Sequence, residues 1–368
     1  MSLADNIHEH LLRLGAQDLA DALGLDRVSA AVTQPRTFQE HPFRRLLMTS
    51  IAPRRDDLAY LALLRTADGA MMVRRVGWDE WLRTRLETAC ASDHKNSEGA
   101  LAEVRAAGAL LRTEMTVRAV EVGGAPTADL SVSIGVEAAV IEITCKSIND
   151  AEGGLLRAHL SQPPEPSATG VSFSEHEVFP AGRPRGGECT AENVAQKLAQ
   201  KKEGARQAAG DLPSVLWVDL QSEWWAVQAH GVQPFTKWRG ELYSYGIWHG
   251  FYGRKDVPIF EGHVERHGGP FGVWRQRFDG LLIQRTEWSA AVISLPSITV
   301  LYESPWAENP IGPKLRESLM SVPDADFTAS WAQWGSVPLK QIIEAEWDRL
   351  EFIAKRDHDY LRRQLAEG

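Results

Sequence analysis

Cysteine is scarce, long apolar runs are missing and basic residues are outnumbered; each shortage removes a class of protein. The three cysteines, Cys90, Cys145 and Cys189, are odd in number and widely spaced. They suggest neither the disulfide framework of a small secreted domain nor a zinc site. No apolar run approaches the roughly 20 residues that span a bilayer. The first residues, MSLADNIHEHLLRLG, carry acids early and lack a signal-type apolar block. A cytoplasmic location with no membrane partner is therefore expected.

Acidic residues number 49 against 40 basic, for a net charge of −9. That balance counts against a protein that simply coats a polyanion, although a local basic face could still meet one. Three motifs are also missing: a Gly-rich phosphate loop ending in Lys-Ser or Lys-Thr, a His-Glu-x-x-His pair and a Gly-x-Ser-x-Gly turn. An ATPase, a zincin or a serine hydrolase has no residues behind it. Among the eleven histidines, His263 and His267 are four apart but lie in the Gly-rich stretch EGHVERHGG, which reads as a loop.

What remains is an ordinary globular composition, 43% hydrophobic and 24% charged over 368 residues. Residues 5 to 24 carry apolar positions at helical spacing. An apolar patch at Leu58–Leu64 and an expected strand at Ala70–Val76 follow, with Trp78 and Trp81 next. The polar stretch Ser92–Gly99 reads as a boundary. Residues 1–95 thus form an N-terminal α+β region without an evident role, residues 96–310 a core, and residues 311–368 a C-terminal helical extension. The extension carries a long amphipathic helix over Leu339–Leu365.

Within the core, Ala100–Leu111 is a short helix and Thr116–Val122 a strand. Asp129–Ile134 alternates polar and apolar, Gly135 permits a turn, and Ala139–Cys145 has strong β propensity. An irregular Pro- and Gly-rich segment precedes a helix over Ala191–Ala209 and the apolar strand Ser214–Leu220. Two further strands are expected at Ala290–Ser294 and Ser297–Tyr302. Helix, strands, helix, strand is the order of an α/β fold with a mixed sheet flanked by helices.

Chemistry concentrates on Val140–Lys146. Alternation along a strand puts Glu142, Thr144 and Lys146 on one face and Ile141, Ile143 and Cys145 on the other. A carboxylate and an ammonium on a core strand are costly unless paired or functional. Thirteen residues before Glu142, Asp129 opens the preceding strand, and a turn at Gly135 would bring the two acids together. Two carboxylates can hold Mg²⁺, which shields a phosphate and lowers the pKa of a bound water. A lysine alongside can orient that water or stabilise the added charge.

This arrangement resembles the PD-(D/E)XK nuclease superfamily over roughly Ala100–Leu220, in pattern rather than extended identity. In that superfamily an Asp opens one strand, and an acid and a Lys stand two apart on the next. Asp129 and Glu142 match the acids, although Ala128 stands where a Pro often precedes. Thr144 occupies the lysine's place, and Lys146 follows two residues later. Glu103 matches a helix acid that assists the metal. Lys201, within the apolar stripe of the later helix, is an alternative carrier of the lysine's role or a phosphate clamp.

The resemblance implies a restriction-endonuclease-like fold and hydrolysis of phosphodiester bonds, in DNA rather than RNA. It further implies Mg²⁺ or Mn²⁺ held by Asp129, Glu142 and the Ile143 carbonyl, and suggests a place in bacterial defence or restriction. Two alternatives stand beside it. One is a catalytically degenerate binding or scaffold protein of the same fold. The other is an interaction protein that assembles through its C-terminal helix, for instance as a homodimer. The loop tips at Arg183-Pro184-Arg185 and Arg254-Lys255 are candidate backbone contacts. Aromatics such as Trp217, Trp224, Trp225, Trp238, Tyr243, Tyr245 and Trp248 could stack on bases, with core packing as the default.

Overall fold

The structure, a computed structural model, describes residues 2–33, 41–52, 57–90, 94–120, 128–146, 190–199, 211–221, 232–238, 241–261, 272–323 and 337–367. The expected N-terminal α+β region is helical throughout its described residues: α1 (Leu3–Arg13), α2 (Gln17–Val32), α3 (Pro42–Ile51), α4 (Asp57–Arg75) and α5 (Asp79–Cys90). Ser2 and Asp5 form a reciprocal capping box that starts α1, satisfying amides that the first turn leaves open.

The expected strand at Ala70–Val76 is instead the last part of α4. Ala59, Ala62, Leu63, Thr66, Ala70 and Val73 are all buried, spaced three and four apart, so the burial period is that of a helix. That helix crosses α6 (His94–Leu111) at a pair of glycines. A β-carbon on Gly108 would stand 2.2 Å from the Cα of Gly69. The missing side chains let the two backbones touch.

After α6 come β1 (Thr116–Ala119), β2 (Leu130–Ile134) and β3 (Glu137–Cys145), then α7 (Thr190–Ala199) and β4 (Ser214–Asp219). The hairpin β5 (Thr236–Trp238) and β6 (Glu241–Tyr243), the helix α8 (Ile247–Tyr252), and the hairpin β7 (Pro258–Glu261) and β8 (Gly272–Arg275) follow. The chain continues through α9 (Leu281–Gln284), β9 (Ala290–Ser294), β10 (Thr299–Glu303) and α10 (Pro313–Met320) to α11 (Leu339–Glu367).

Six strands make a mixed sheet in the order β1-β2-β3-β4-β9-β10. β1, β2 and β3 form an antiparallel meander; β3, β4 and β9 are parallel; β10 returns antiparallel to β9. The turn between β2 and β3 is two residues long, with Gly135 at φ 61°, a conformation that favours glycine.

Each face of the sheet covers its own core. Ile141, Val215, Trp217 and Val292 pack with Leu101, Val104 and Leu110 of α6, and this apolar cluster continues without a break into Ile7, Leu19, Phe43 and Leu82 of the first five helices. On the other face Leu216, Val218 and Ile293 pack with Val194 and Leu198 of α7, with Trp248 and Phe251 of α8, and with Ile343, Trp347 and Leu350 of α11. Parallel strands buried on both faces explain why β4 and β9 are apolar almost end to end.

Trp347 fastens α11. Its indole N–H donates to the Tyr252 carbonyl at 2.9 Å, and Arg254 lies 4.5 Å over its ring. Among the described residues no helix is long and apolar enough to cross a membrane.

Candidate metal site at the open end of the β2–β3 ladder

The register pairs Leu130 with Ile141. Asp129 precedes the first and Glu142 follows the second, so both acids belong to the end of the ladder. The pairing is irregular at this point. The Asp129 amide donates to the Ile141 carbonyl at 3.1 Å, so two β2 residues address one β3 residue, the pattern of a bulge that re-aims a side chain. The redirected Asp129 carboxylate accepts the Ile143 amide at 2.7 Å through Oδ2.

Glu142 is only 7% exposed. Its lateral neighbour on β4 is Leu216, and that of Thr144 is Val218. Both neighbours belong to the α7 side of the sheet, so Glu142 and Thr144 share that face. The residue two places from the acid is therefore a hydroxyl where the superfamily pattern has an ammonium. Lys146 lies half-buried, one residue beyond the end of β3. Lys201 lies outside the described residues, as do Arg183, Arg185, Trp224, Trp225, His263 and His267.

Glu103 stands on α6, on the opposite side of the sheet from Glu142. It is ion-paired with Arg85 of α5. Burial pushes its carboxyl up to about 7, the Arg85 guanidinium pulls it back, and the Asp129 charge pushes it further up. The Asp129 charge is thus among those that act on Glu103.

A second polar group sits on the α6 side at the C-terminal ends of the parallel strands, and the sequence reading missed it. Arg105 holds Asp219 with two hydrogen bonds, 3.0 and 2.9 Å, deep in the protein. Asp219 lies beside Cys145 and Ser294 in the register. Gln221 donates to Ser294 at 2.9 Å and to the Leu295 carbonyl at 3.1 Å; Arg65 of α4 reaches the same carbonyl at 2.7 Å. Glu98, two turns before Arg105, has one buried carboxylate oxygen without a hydrogen-bond partner. Burial pushes its carboxyl up to about 7 against the pull of Arg105, Arg45 and Lys197. The signal was available: Asp219 is a charge inside the strand SVLWVDL.

Among the aromatics, Trp217 and Trp248 are packed in the interior, 1% and 0% exposed, which withdraws them from base stacking. Arg254 is exposed but spent on the Trp347 ring.

The donor set at Asp129 and Glu142 is hard oxygen, carboxylates next to a strand carbonyl at Ile143, and suits Mg²⁺ or Mn²⁺ rather than zinc. Asp129 accepts the Ile143 amide through Oδ2, and Glu142 is buried. Among the described residues no group of three or more His, Cys, Asp or Glu side chains could hold a metal ion, so a metal here would have at most these two carboxylates as side-chain ligands. The remaining coordination would be water, as is usual for Mg²⁺. Compared with family models, with curated proteins and with solved structures, the chain matches none.

Proposed function

We propose that the protein is a metal-dependent nuclease of the PD-(D/E)XK type, hydrolysing phosphodiester bonds in DNA, with a restriction-endonuclease-like core. The observation that carries this reading is the hydrogen bond from the Ile143 amide to the Asp129 carboxylate, which ties Asp129 to the residue next to Glu142 at the open end of an antiparallel pair. The element order α6, β1, β2, β3, α7, β4 around that pair supports it.

In this reading Asp129 and Glu142 hold Mg²⁺ or Mn²⁺, with the Ile143 carbonyl as a third donor. The ion, when bound, supplies Lewis-acid shielding of the phosphate and an acidified water. The protein's own contribution is positional: the Ile143 amide orients Asp129, and strand neighbours fix Glu142. Lys146, or Lys201 from α7's continuation in sequence, supplies the cation that Thr144 does not. Glu103 adds negative charge beside Asp129. A role in bacterial defence or restriction and a homodimeric state belong to the same proposal. Mg²⁺-dependent cleavage of plasmid and linear DNA by wild type and by Glu142→Gln tests it; cleavage lost only in the variant supports the reading.

One observation favours a second reading, a nuclease-fold scaffold without activity. Thr144 stands where the ammonium is needed, on the correct face. A scaffold binds nucleic acid without cutting it in any divalent metal.

A further inference from the structure

The α7 face of the sheet changes character at β4. Toward β9 and β10 it is apolar: Leu216, Val218, Ile293 and Tyr302 are buried with Trp248 and Phe251 of α8. Toward β2 it is polar. Val140 pairs with Ser131 and Ala138 with Ser133, and alternation places both serines on the face that carries Glu142 and Thr144. The intervening Leu130, Val132 and Ile141 belong to the core on the α6 side. Ser131, Ser133 and Thr144 are only half-buried.

The helix α7 runs along this boundary. A β-carbon on Gly250 would stand 2.9 Å from Cβ of Leu198 and 3.1 Å from the Ala195 carbonyl oxygen, so one flank of α7 rests on α8. α8 in turn lies toward β10, where Tyr252 and Phe251 meet the Tyr302 ring with centroids 4.9 and 5.5 Å apart. Val194 and Leu198 turn to the sheet. The flank turned away from α8 therefore overlooks β3. Asn193 and Lys197 occupy it, one turn apart. Asn193 is 8% exposed and Lys197 half-buried, so neither side chain stands out in water.

We propose that the polar trough between α7 and β2 is the bed of a nucleic-acid strand, with Lys197 and Asn193 holding a phosphate on the Glu142 side of the sheet. This rests on the metal-site reading above and adds to it the substrate's place on the sheet. A phosphodiester strand presents one anionic group per nucleotide and needs donors along its path. Lys197 supplies a charge with several N–H donors, and Asn193, Ser131 and Ser133 supply neutral donors. The other half of the same face is apolar and covered by α8 and α11. The role of Lys197 is separate from that of the water-orienting cation: it grips the strand and does not act on the reacting bond.

Fluorescence anisotropy with a labelled DNA oligonucleotide, as duplex and as single strand, tests this on the full-length protein, with Mn²⁺ binding measured in parallel. The variants are Lys197→Ala, Lys197→Arg, Ser133→Glu and, as a distant control, Thr84→Glu on the exposed side of α5. Lys197→Ala should weaken DNA binding about fivefold and lower its salt dependence by about one phosphate contact. Lys197→Arg and Thr84→Glu should bind as wild type does. Ser133→Glu puts an anion on the trough floor and should weaken binding at least as much as Lys197→Ala; it carries the test if Lys197→Ala does not fold. Equal DNA binding in wild type, Lys197→Ala and Ser133→Glu, or none in wild type, overturns the trough. If these variants lose DNA as expected while Glu142→Gln still binds Mn²⁺ as wild type does, the metal site is wrong and the trough stands.

Discussion

Ile143 donates its amide to the carboxylate of Asp129 across 2.7 Å, so the acid that opens β2 is tied to the strand carrying Glu142. A side chain replaces a carbonyl as the acceptor for a β3 amide. The cost of removing it is thus partly structural, and a clean test must separate the two effects. Asp129→Asn keeps an acceptor oxygen and should fold nearly as well as wild type while losing metal binding. Asp129→Ala leaves the Ile143 amide without its acceptor and should cost about 1–3 kcal/mol in urea unfolding. Equal stability of the two variants would show that the hydrogen bond carries no weight.

The Arg105–Asp219 pair predicts a larger loss. Both groups are buried, at 9% and 2% side-chain exposure, and the fork geometry satisfies both carboxylate oxygens. Asp219→Ala strands the guanidinium and should destabilise by about 3–5 kcal/mol. Replacing both partners by apolar residues should recover most of that loss. Chemical denaturation of the single and double variants decides it.

Gly108 predicts a steric effect. A methyl there meets the Gly69 backbone at 2.2 Å, and backbone cannot rotate aside. Gly108→Ala should lower stability by about 1–3 kcal/mol or more, despite alanine's better helix propensity. A melting temperature raised by the substitution would show that the α4–α6 contact is looser than described.

These cases mark what was legible in the sequence. The β2–β3 hairpin was, because alternation, a glycine turn and β-branched residues all agree over Leu130–Cys145. The C-terminal helix was, because Ile343, Leu350 and Ile353 keep a helical period. Ala70–Val76 was not: seven residues, AMMVRRV, are too few for the period to show. The glycine of α6 that meets Gly69, just before this segment, is distant in sequence. β5, β6, β7 and β8 have three or four residues each and derive their order from mutual pairing. Around the candidate site, the pairing of the strand that Asp129 precedes with the strand that carries Glu142 could be read from spacing. The bulge could not, since it departs from the regular β2–β3 register, nor could the pairing of Glu103 with Arg85 and the Glu98–Arg105–Asp219 group, since each depends on tertiary approach between α6 and another element.

Among the groups that make stability depend on pH, Glu98 and His249 act in opposite directions. Glu98 in the folded state titrates at about 7 against an ordinary 4.5, chiefly through burial. The folded form keeps the proton over that window, so this contribution is full below 4.5 and fades as pH rises through 7. His249 is fully buried between Gln276 and the Pro234 carbonyl, and burial depresses it to about 4 from 6.5. Its contribution is present above 6.5 and is lost as pH falls toward 4. The two slopes oppose each other between 4.5 and 6.5. Glu98→Gln removes the falling one, so the variant's melting temperature should climb with pH more steeply than that of wild type. Parallel curves would contradict the assignment.

Thr144 offers a gain-of-function test. It shares a face with Glu142, and Thr144→Lys places an ammonium where the proposed chemistry wants one. Mg²⁺-dependent cleavage should rise by about tenfold. No rise, together with loss in Lys146→Ala, would assign the cation to Lys146 instead.

The central claim is that Asp129 and Glu142 share one divalent ion, and Mn²⁺ binding measured by electron paramagnetic resonance addresses it without reference to any substrate. Wild type should bind one Mn²⁺ per chain at this site, and Asp129→Asn and Glu142→Gln should each abolish it with the fold intact. Binding that survives either substitution, or a wild type that binds no Mn²⁺, would contradict the account.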